Sequence, residues 1–396
     1  GDIRIDNQKE LENKLEITGK YPIETLVKRC YLKWGENFAK EIIGNFSFFL
    51  YDKKKELVIL CTDHMGIKPL FYFAKGNNLV FSSSINQLIS KEGIPKKMNR
   101  ERVIDFLLFH SPKDKHTFFQ DIHKLNRSNY VVFKDGNMKC YKYFDFDIEK
   151  VLIYKDERDY FQHFHELFKE VVLDLSKEEA NFGTTISGGL DSSSIYCISA
   201  SNLSNNQEIH SRSVLFKGLQ GQDKLKTNEF DYMQDCLNLY PNPNHKFLEL
   251  RDTGPISAHE RLVEIYDEPI GAINSYIWEA IYSSLQGKDI KVLLDGVDGD
   301  SVLSHGYELL PELAKKLNFR DLFTLIDANS DLLKTKRKSR FQILRKYLFR
   351  NLLPKRIIWD YLVRKSKPPY PYRAYKRLNI TERKKINIYD RSLNHF

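Results

Sequence analysis

Two glycine- and aspartate-rich turns, each directly after a short apolar strand, most constrain the fold of this chain. The first turn is SGGLDSS at 187–193, between the strand-like FGTTIS and the helix-like DSSSIYCISASN. The second is LDGVDGDS at 294–301, after the apolar run IKVLL. Short strands that alternate with helices predict an α/β fold with a parallel sheet covered by helices on both faces. Because ligands of such sheets bind beyond the carboxyl ends of the strands, we expect both turns at one edge.

The N-terminal part has a different pattern. Residues 1–150 are rich in short aromatic and β-branched runs separated by polar turns, which predicts three hairpins, the last with Asp135-Gly136 as its tight turn. Helices are expected at 22–34, 84–90 and 100–109. Near residue 155 the pattern changes to helical spacing. The sequence therefore predicts two domains, a β-rich α+β domain over 1–150 and a parallel-sheet domain over 151–396 with a helical end.

Composition excludes several classes of protein. With 396 residues and 41% hydrophobic residues the chain can bury a large core, which excludes a disordered protein. No apolar run approaches the roughly 18 residues that would cross a bilayer, and the first residues lack a signal peptide pattern. Five cysteines without CxxC spacing predict free thiols in a reducing compartment. These features favour a cytoplasmic protein without a membrane, disulfide or zinc requirement.

The positive charge is local. Residues 331–396 contain 20 Lys and Arg and 4 Asp and Glu, a net charge of +16, whereas the other 330 residues carry −7. The segment is either a solvated helical surface or a surface for an acidic partner such as a peptide. No zinc finger, RRM or basic-zipper pattern is present, so nucleic acid is a minor alternative.

The first turn has the features of an anion cradle. Glycines let a backbone approach a phosphate closely, and the N–H groups and dipole of a following helix favour negative charge. Ser187, Ser192 and Ser193 add hydroxyl donors, while Asp191 would repel a phosphate unless a cation such as Mg²⁺ lies between them. The motif lacks the Lys-Ser/Thr of a Walker A loop. The alternative is a simple capped turn.

The second turn places Asp295, Asp298 and Asp300 within six residues. Such a group is costly without a cation, and a hard cation held by carboxylates and phosphate oxygens is the usual solution. A solvated acidic turn is the alternative. His305 is a candidate proton carrier, or a structural histidine. The segment Tyr266-Asp267-Glu268-Pro269 is a candidate wall of the same cleft, or an ordinary turn.

These motifs carry a family resemblance. SGGLDSS resembles the pyrophosphate loop of N-type ATP pyrophosphatases, and the whole series resembles the asparagine synthetase B superfamily. GNFSFF, DHMGIKPL and a strand ending in FSSS are similar to the family's glutaminase domain, which has an Ntn-hydrolase-like fold. SGGLDSSS, YDEP and LLDGVDGDSVLSHGY then match the synthetase domain in order. The pattern DGVDGDSVLSHG looks most like lasso peptide macrolactam synthetases.

The resemblance implies a set of ligands and site residues. ATP and Mg²⁺ are the expected cofactors, with Asp191 and Asp300 as metal ligands. The residues expected to bind the nucleotide are Ile186, Ser187, Gly188, Gly189, Asp191, Ser192, Ser193, Val214, Leu215, Phe216 and Gly296. Asp298 and His305 are the candidate catalytic residues.

Departures from the family pattern also lead to expectations. Family glutaminases begin with a cysteine nucleophile, whereas this chain begins with Gly1. Ser83-Ser84 and Thr62-Asp63 replace the usual Ser-Glu and Arg-Asp, and Val297 stands where relatives have Glu or Tyr. The family's chains also continue past the region matched by the last residues. We therefore expect a fragment, truncated at both ends, whose glutaminase-like domain is inactive.

The implied reaction is adenylation of a carboxylate followed by capture with an amine to give an amide. Lasso-peptide-type macrolactam formation is the first hypothesis, with a precursor peptide or small carboxylate as substrate and a cysteine protease as a further partner. Glutamine-hydrolysing asparagine synthesis is the second. A β-lactam-forming or other amide ligase is a further hypothesis, and the last is a non-catalytic scaffold that binds nucleotide or peptide.

Overall fold

The computed structural model describes residues 1–107, 115–147, 150–177, 179–216, 229–250, 253–303 and 309–328. Among them, residues 1–103 and 115–295 belong to one compact unit, and residues 104–107, 296–303 and 309–328 to a second. The strands are β1 (Asp2–Ile5), β2 (Gly44–Asp52), β3 (Leu57–Thr62), β4 (Phe71–Lys75), β5 (Asn78–Ser82), β6 (Ile122–Lys124), β7 (Asn129–Lys134), β8 (Asn137–Lys142), β9 (Asn181–Thr185), β10 (Glu208–Leu215), β11 (Lys246–Glu249) and β12 (Leu293–Leu294).

Helices occur along the whole described chain, from residue 8 to residue 328. They are α1 (Gln8–Leu15), α2 (Ile23–Trp34), α3 (Ile85–Ile89), α4 (Arg100–Leu107), α5 (Glu157–Ser176), α6 (Leu190–Ser201), α7 (Phe230–Leu239), α8 (His259–Tyr266), α9 (Ser275–Leu285), α10 (Gly299–Leu303), α11 (Leu309–Lys315) and α12 (Phe319–Ala328), with a 3₁₀ helix at Gly35–Lys40. None of the described helices is long and apolar enough to cross a membrane.

Two antiparallel sheets form the β-rich N-terminal part. Their strand orders are β1-β2-β3-β7-β8 and β5-β4-β6. Side chains of a strand alternate between its two faces, so those of β3 belong to two different cores. Ile59 and Cys61 join the core shared with α1 and α2, whereas Leu60 joins a second core with Tyr72 of β4. The other face of β4 packs against α3 through Phe73. The layers are therefore helix, sheet, sheet, helix.

The predicted hairpins and helices of this part are confirmed. β2 pairs with β3, β4 with β5, and β7 with β8. Asp135 and Gly136 both have positive φ, 50° and 72°, as a two-residue hairpin turn requires. The expected helices are present at Ile23–Trp34, Ile85–Ile89 and Arg100–Leu107, although residues 108 and 109 lie outside the described residues. The short strands β1 and β6 were not predicted.

The buried carboxylate of Asp63 explains the family-like turn DHMGIKPL. Asp63 is 1% exposed, and it accepts hydrogen bonds from the backbone N–H groups of Met65, Ile67 and Lys68 at 3.0 Å each, and from that of Phe46 at 3.2 Å. A carboxylate with four backbone donors is satisfied within the turn. Its role here is therefore to fix the turn between β3 and β4.

A third sheet is parallel, as predicted, with strand order β11-β10-β9-β12. Its core contains Phe182 of β9, Ile209 of β10 and Tyr196 of α6, together with Val172 of α5 and Met233 of α7. The predicted fold class, an Ntn-hydrolase-like β-rich part followed by a parallel-sheet α/β part, is thus confirmed. The strand expected over IKVLL is only two residues long, at Leu293–Leu294.

The second unit contains a small helical core. Leu310 and Ala314 of α11 pack against Leu322 and Ile326 of α12. The basic residues 331–396 lie outside the described residues. The five cysteines all lie within the described residues and are free thiols, as the sequence predicted.

Candidate functional site

The SGGLDSS turn leaves the carboxyl end of β9, which lies between β10 and β12. The chain then enters α6 at Leu190, with Gly189 as an N-cap residue that provides no capping side chain. Because the first N–H groups of a helix have no intrahelical acceptor, they remain available to an anion. Ser187 is exposed and Asp191, in the first turn of α6, is half-buried. The predicted anion cradle, if an anion binds here, would therefore consist of backbone N–H groups.

Hydrogen bonds of the Ser187 and Ser192 hydroxyls stabilise the SGGLDSS turn. The Ser187 backbone N–H donates to Ser192 Oγ at 3.0 Å, and the two serine hydroxyls lie 2.8 Å apart. The Gly189 N–H donates to Ser187 Oγ at 3.2 Å. Ser193 Oγ is buried and has no hydrogen-bond partner among the described residues. Ser187 and Ser192 thus stabilise the turn itself, and the buried hydroxyl of Ser193 is not presented at the surface.

Gly188 shows how closely the turn is packed. Its φ of +87° is strained for any other residue, and a Cβ placed there would lie 2.4 Å from Cβ of Glu229 and 2.6 Å from the Glu229 carbonyl oxygen. A Cβ on Gly189 would lie 3.9 Å from Glu229 Oε2. Glu229 therefore lies against the turn, a contact that no local pattern predicted because Glu229 stands 41 residues after Gly188.

The residues expected around a nucleotide base lie on the two neighbouring strand ends. Ile186 is 1% exposed and joins the core, and the Ser213 hydroxyl donates to its carbonyl at 2.6 Å. Val214 and Leu215 end β10 half-buried, and Phe216 directly after them is 40% exposed. These residues lie on adjacent parallel strands, with Ile186 N–H bonded to the Arg212 carbonyl at 2.9 Å.

A fully buried arginine in β10 is an unexpected feature beside this edge. Arg212 is 0% exposed. Its guanidinium donates to Ser284 Oγ at 2.8 Å, to the Ser284 carbonyl at 3.2 Å, and to the carbonyls of Ser211 at 2.7 Å and Asn244 at 3.0 Å. Burial lowers the pKa of Arg212. The side chain joins α9 to the sheet, and the charged residue within a predicted parallel strand was the available signal.

A neutral histidine lies next to that arginine. Asn242 donates to Ser211 Oγ at 3.0 Å, and Ser211 Oγ lies 2.8 Å from His245 Nδ1. Burial, with the nearby Arg212 charge, lowers the pKa of His245 to about 4. The imidazole is therefore neutral at pH 7, and its contact with Ser211 makes this cluster a structural support of β10.

The second turn begins at the same sheet edge. β12 pairs in parallel with β9, with Leu294 opposite Thr184, and Asp295 follows it. Gly296, Asp298 and Asp300 belong to the second unit, where Asp298 has a φ of +62° and Asp300 lies in the first turn of α10. His305 lies outside the described residues. The assignments of Gly296, Asp298, Asp300 and His305 remain predictions.

The carboxylates fit a cation that arrives with its own oxygen ligands. No group of three His, Cys, Asp or Glu side chains within the described part of the chain could form a metal cage. Mg²⁺ usually keeps several waters and binds through one or two carboxylates plus substrate phosphates. Asp191, a half-buried carboxylate in the first turn of α6 directly after the glycine turn, suits this second mode of binding.

The Tyr266-Asp267-Glu268-Pro269 segment contacts the N-terminal part. Asp267, at a φ of +59°, accepts from Ser84 Oγ at 2.6 Å and from Asn86 Nδ2 at 2.5 Å. Glu268 accepts from the Phe118 backbone N–H at 2.6 Å, and burial raises the pKa of this carboxyl. The hydroxyl of Ser84, which stands where the family has Glu, is thus a donor to Asp267.

Two of the three thiols of the N-terminal part, those of Cys30 and Cys61, are not suited to catalysis. Cys30 and Cys61 are both 0% exposed. Burial raises the pKa of Cys30 to about 12 and that of Cys61 well above its ordinary value. Reactive cysteines are deprotonated and accessible, so neither side chain has the properties of a nucleophile. Cys140 on β8 is exposed.

Comparison with known proteins identifies the family. A glutamine amidotransferase domain model matches residues 4–144, and an asparagine synthase model matches residues 163–379, more than half of the chain. The chain belongs to the asparagine synthase family. The predicted resemblance to the asparagine synthetase superfamily is therefore confirmed.

Several curated relatives are similar over much of this chain. A Methanocaldococcus jannaschii protein, provisionally named a glutamine-hydrolyzing asparagine synthetase 2, is 25% identical over 77% of this chain and 59% of its own length. Asparagine synthetase 2 of Bacillus subtilis is 27% identical over 71% of this chain and 39% of its own. Asparagine synthetase B of Escherichia coli is 22% identical over 80% and 55%. The chain thus spans 39% to 59% of the length of these relatives.

Proposed function

We propose that this protein uses Mg·ATP to activate a carboxylate and couples it to an amine, forming an amide. The observation that carries the proposal is the glycine turn after β9, which leads into α6 with an uncapped N-terminus, in a chain of the asparagine synthase family. A backbone cradle of this kind binds phosphate groups. In this proposal the pyrophosphate lies on Ser187, Gly188, Gly189 and the first turn of α6.

The proposed reaction has two steps. A substrate carboxylate oxygen attacks the α-phosphorus, the bond to the β-phosphate bridging oxygen breaks, and pyrophosphate leaves. The amine then attacks the acyl carbon, AMP leaves, and the amine loses a proton. Mg²⁺, bound through Asp191 and Asp300, would neutralise charge on the departing pyrophosphate. The protein contributes mainly orientation and electrostatic stabilisation.

Macrolactam formation is the first candidate for the specific reaction. The second turn reads DGVDGDSVLSHG, with Val297 where relatives carry Glu or Tyr, and this pattern supports a lasso-peptide-type cyclase. The substrate would be a precursor peptide with a side-chain carboxylate, prepared in the cytoplasm by a cysteine protease partner. Asp298 and His305 are the proposed proton carriers.

Asparagine synthesis is the second candidate. The glutamine amidotransferase match over residues 4–144 and the names of the relatives support it equally. A small carboxylate, aspartate, would then replace the peptide. A non-catalytic scaffold that binds nucleotide or peptide is the third candidate, and it differs from the others in releasing no pyrophosphate.

An exchange of labelled pyrophosphate into ATP tests the proposal. The protein is incubated with Mg·ATP, labelled pyrophosphate and either aspartate or a panel of peptides that contain Asp or Glu. We expect exchange with a carboxylate substrate, and a loss of about 100-fold in Asp191→Asn, comparable to removal of one strong transition-state contact. Asp231→Asn, an exposed acidic residue on α7, is the matched control.

The outcomes separate the candidates. Exchange with peptides, followed by loss of one water from the peptide mass, would support macrolactam formation. Exchange with aspartate alone would support asparagine synthesis. ATP binding without exchange under any substrate would leave only the scaffold, and exchange undiminished in Asp191→Asn would remove the metal assignment.

A further inference from the structure

The carboxylate of Glu229 lies beside the glycine turn, and no contact among the described residues accounts for this position. Its backbone packs against Gly188, and its Oε2 atom lies 3.9 Å from the position of a Cβ on Gly189. The side chain is exposed. This carboxylate makes no hydrogen bond or ion pair with any of the described residues. Such an interaction therefore does not hold it beside the turn.

Helix capping does not explain Glu229 either. The residue is the N-cap of α7, and its carbonyl accepts from the Met233 N–H at 3.1 Å. Its side chain makes no capping hydrogen bond, and Glu is not among the residues favoured at this position. The backbone carbonyl of Glu229 thus takes part in the first turn of α7, whereas its carboxylate does not stabilise the helix.

A carboxylate at this place opposes the binding of a bare polyphosphate. Two like charges a few ångströms apart repel each other, and near a protein surface this repulsion is stronger than in bulk water because the effective dielectric constant is lower. A divalent cation between the carboxylate and the phosphates reverses the sign of the interaction, since each anion is then attracted to the cation. Glu229 can therefore favour one form of a nucleotide over another.

We propose that Glu229 is a second carboxylate of the glycine turn, acting with Asp191 to select the divalent-cation complex of the nucleotide over the free nucleotide. The inference rests on the proposed function, because it requires that a nucleotide polyphosphate binds at this turn. The proposal adds Glu229 to the residues that would bind the cation at this turn. Mg²⁺ bound by one or two carboxylates, phosphate oxygens and waters matches such an arrangement.

Calorimetric titration with ATP tests the proposal, once with excess Mg²⁺ and once with EDTA. The quantity compared is the ratio of the two affinities in the parent protein, in Glu229→Gln and in Asp231→Asn. We expect Glu229→Gln to weaken Mg·ATP about tenfold, the loss of one modest cation contact, and to leave metal-free ATP unchanged or tighter. Asp231, exposed in the first turn of α7, loses the same charge on the same helix and should keep the parent ratio.

Charge reversal provides an independent second variant. Glu229→Lys should bind metal-free ATP more tightly than the parent and lose most of the preference for Mg·ATP. Thermal unfolding of each variant verifies that α7 and the turn remain folded, as expected for an exposed side chain.

Three results would overturn the inference. Equal tightening of both nucleotide forms in Glu229→Gln would mean that the carboxylate only repels phosphate. Unchanged affinities in both variants would mean that residue 229 only packs against Gly188. Failure of the parent to bind ATP in either form would overturn the proposed function itself, and the inference with it.

Discussion

At the scale of single residues, Gly188 is the position where the turn tolerates least change. An alanine there would have a Cβ 2.4 Å from Cβ and 2.6 Å from the carbonyl oxygen of Glu229, at a φ of +87°. The left-handed conformation costs an alanine roughly 1–2 kcal/mol, and overpacking adds roughly 1–3 kcal/mol. We expect Gly188→Ala to lower the unfolding temperature and to abolish ATP binding, as measured by thermal unfolding and calorimetry.

Gly287 provides a matched control for this substitution. It has a similar φ of +76°, but nothing lies within 4 Å of a Cβ placed on it. Gly287→Ala therefore carries the backbone strain without the collision and should retain ATP binding. If the two alanine variants lost the same stability and bound ATP equally, close packing of the turn against Glu229 would have no functional consequence.

The sequence predicted the residues of this turn but not their neighbours. SGGLDSS is a local pattern, and its order of strand, turn and helix follows from hydrophobic periodicity and glycine conformational freedom. Glu229, Arg212 and His245 come from other strands and helices, and their places depend on how the parallel strands are ordered. Only the charged Arg212 within the predicted parallel strand β10 signalled that a buried polar cluster was present.

At the scale of elements, the turn after α8 joins the two halves of the chain. Asp267 accepts hydrogen bonds from Ser84 Oγ at 2.6 Å, from the Asn86 backbone N–H at 3.3 Å and from the Asn86 side chain. Arg4 makes a separate contact, donating from Nη2 to the Leu175 carbonyl at 2.6 Å near the end of α5. Polar contacts from two separate elements of the parallel-sheet part, α5 and the turn after α8, therefore reach the N-terminal part.

Removal of the Asp267 carboxylate should weaken this connection. Hydrogen bonds to a charged group contribute roughly 1.5–3 kcal/mol each, less where solvent reaches them. We expect Asp267→Ala to lower the midpoint of thermal unfolding by roughly 5 °C and to speed proteolysis between residues 143 and 157. Combination with Ser84→Ala in a double-mutant cycle isolates the coupling between these two side chains.

Asp289→Ala is the control for backbone strain. Asp289 also has a positive φ, 49°, and its side chain is exposed. Both substitutions place an alanine in the left-handed region, and only the first removes the contacts to Ser84 and Asn86. Equal loss of stability in the two variants, with no coupling in the cycle, would show that Asp267 does not hold the domains together.

Element types were predictable where the local pattern was strong. The short aromatic and β-branched runs of β2 and β3 and the turn dipeptide Asp135-Gly136 indicate the hairpins from local sequence alone. The three-residue strand β6 and the four-residue strand β1 have too few residues for a periodic pattern, so pairing with β4 and β2 decides their conformation. The strand predicted over IKVLL is longer than β12. An apolar run indicates that its residues are buried, but a buried residue need not pair with a neighbouring strand.

At the scale of the whole molecule, charge is distributed very unevenly. Residues 331–396 carry a net charge of +16, and the remaining 330 residues carry −7. The basic segment lies outside the described residues. A field of this size attracts polyanions over a distance of about one Debye length, roughly 10 Å at 0.1 M salt. It should therefore contribute to the capture of an acidic peptide or of the ATP polyphosphate.

The expected signature is a steep loss of Mg·ATP affinity between low and moderate salt. Reversal of Lys336, Arg337, Lys338 and Arg340 to Glu should flatten that dependence, because eight units of positive charge are removed from the segment. Reversal of Lys53, Lys54, Lys96 and Lys97, which are exposed on the N-terminal part, changes the total charge equally. Calorimetric titrations across a salt series measure both variants against the parent. A solvated surface without a binding role would give three parallel curves, whereas equal flattening by both reversals would assign the attraction to net charge rather than to this segment.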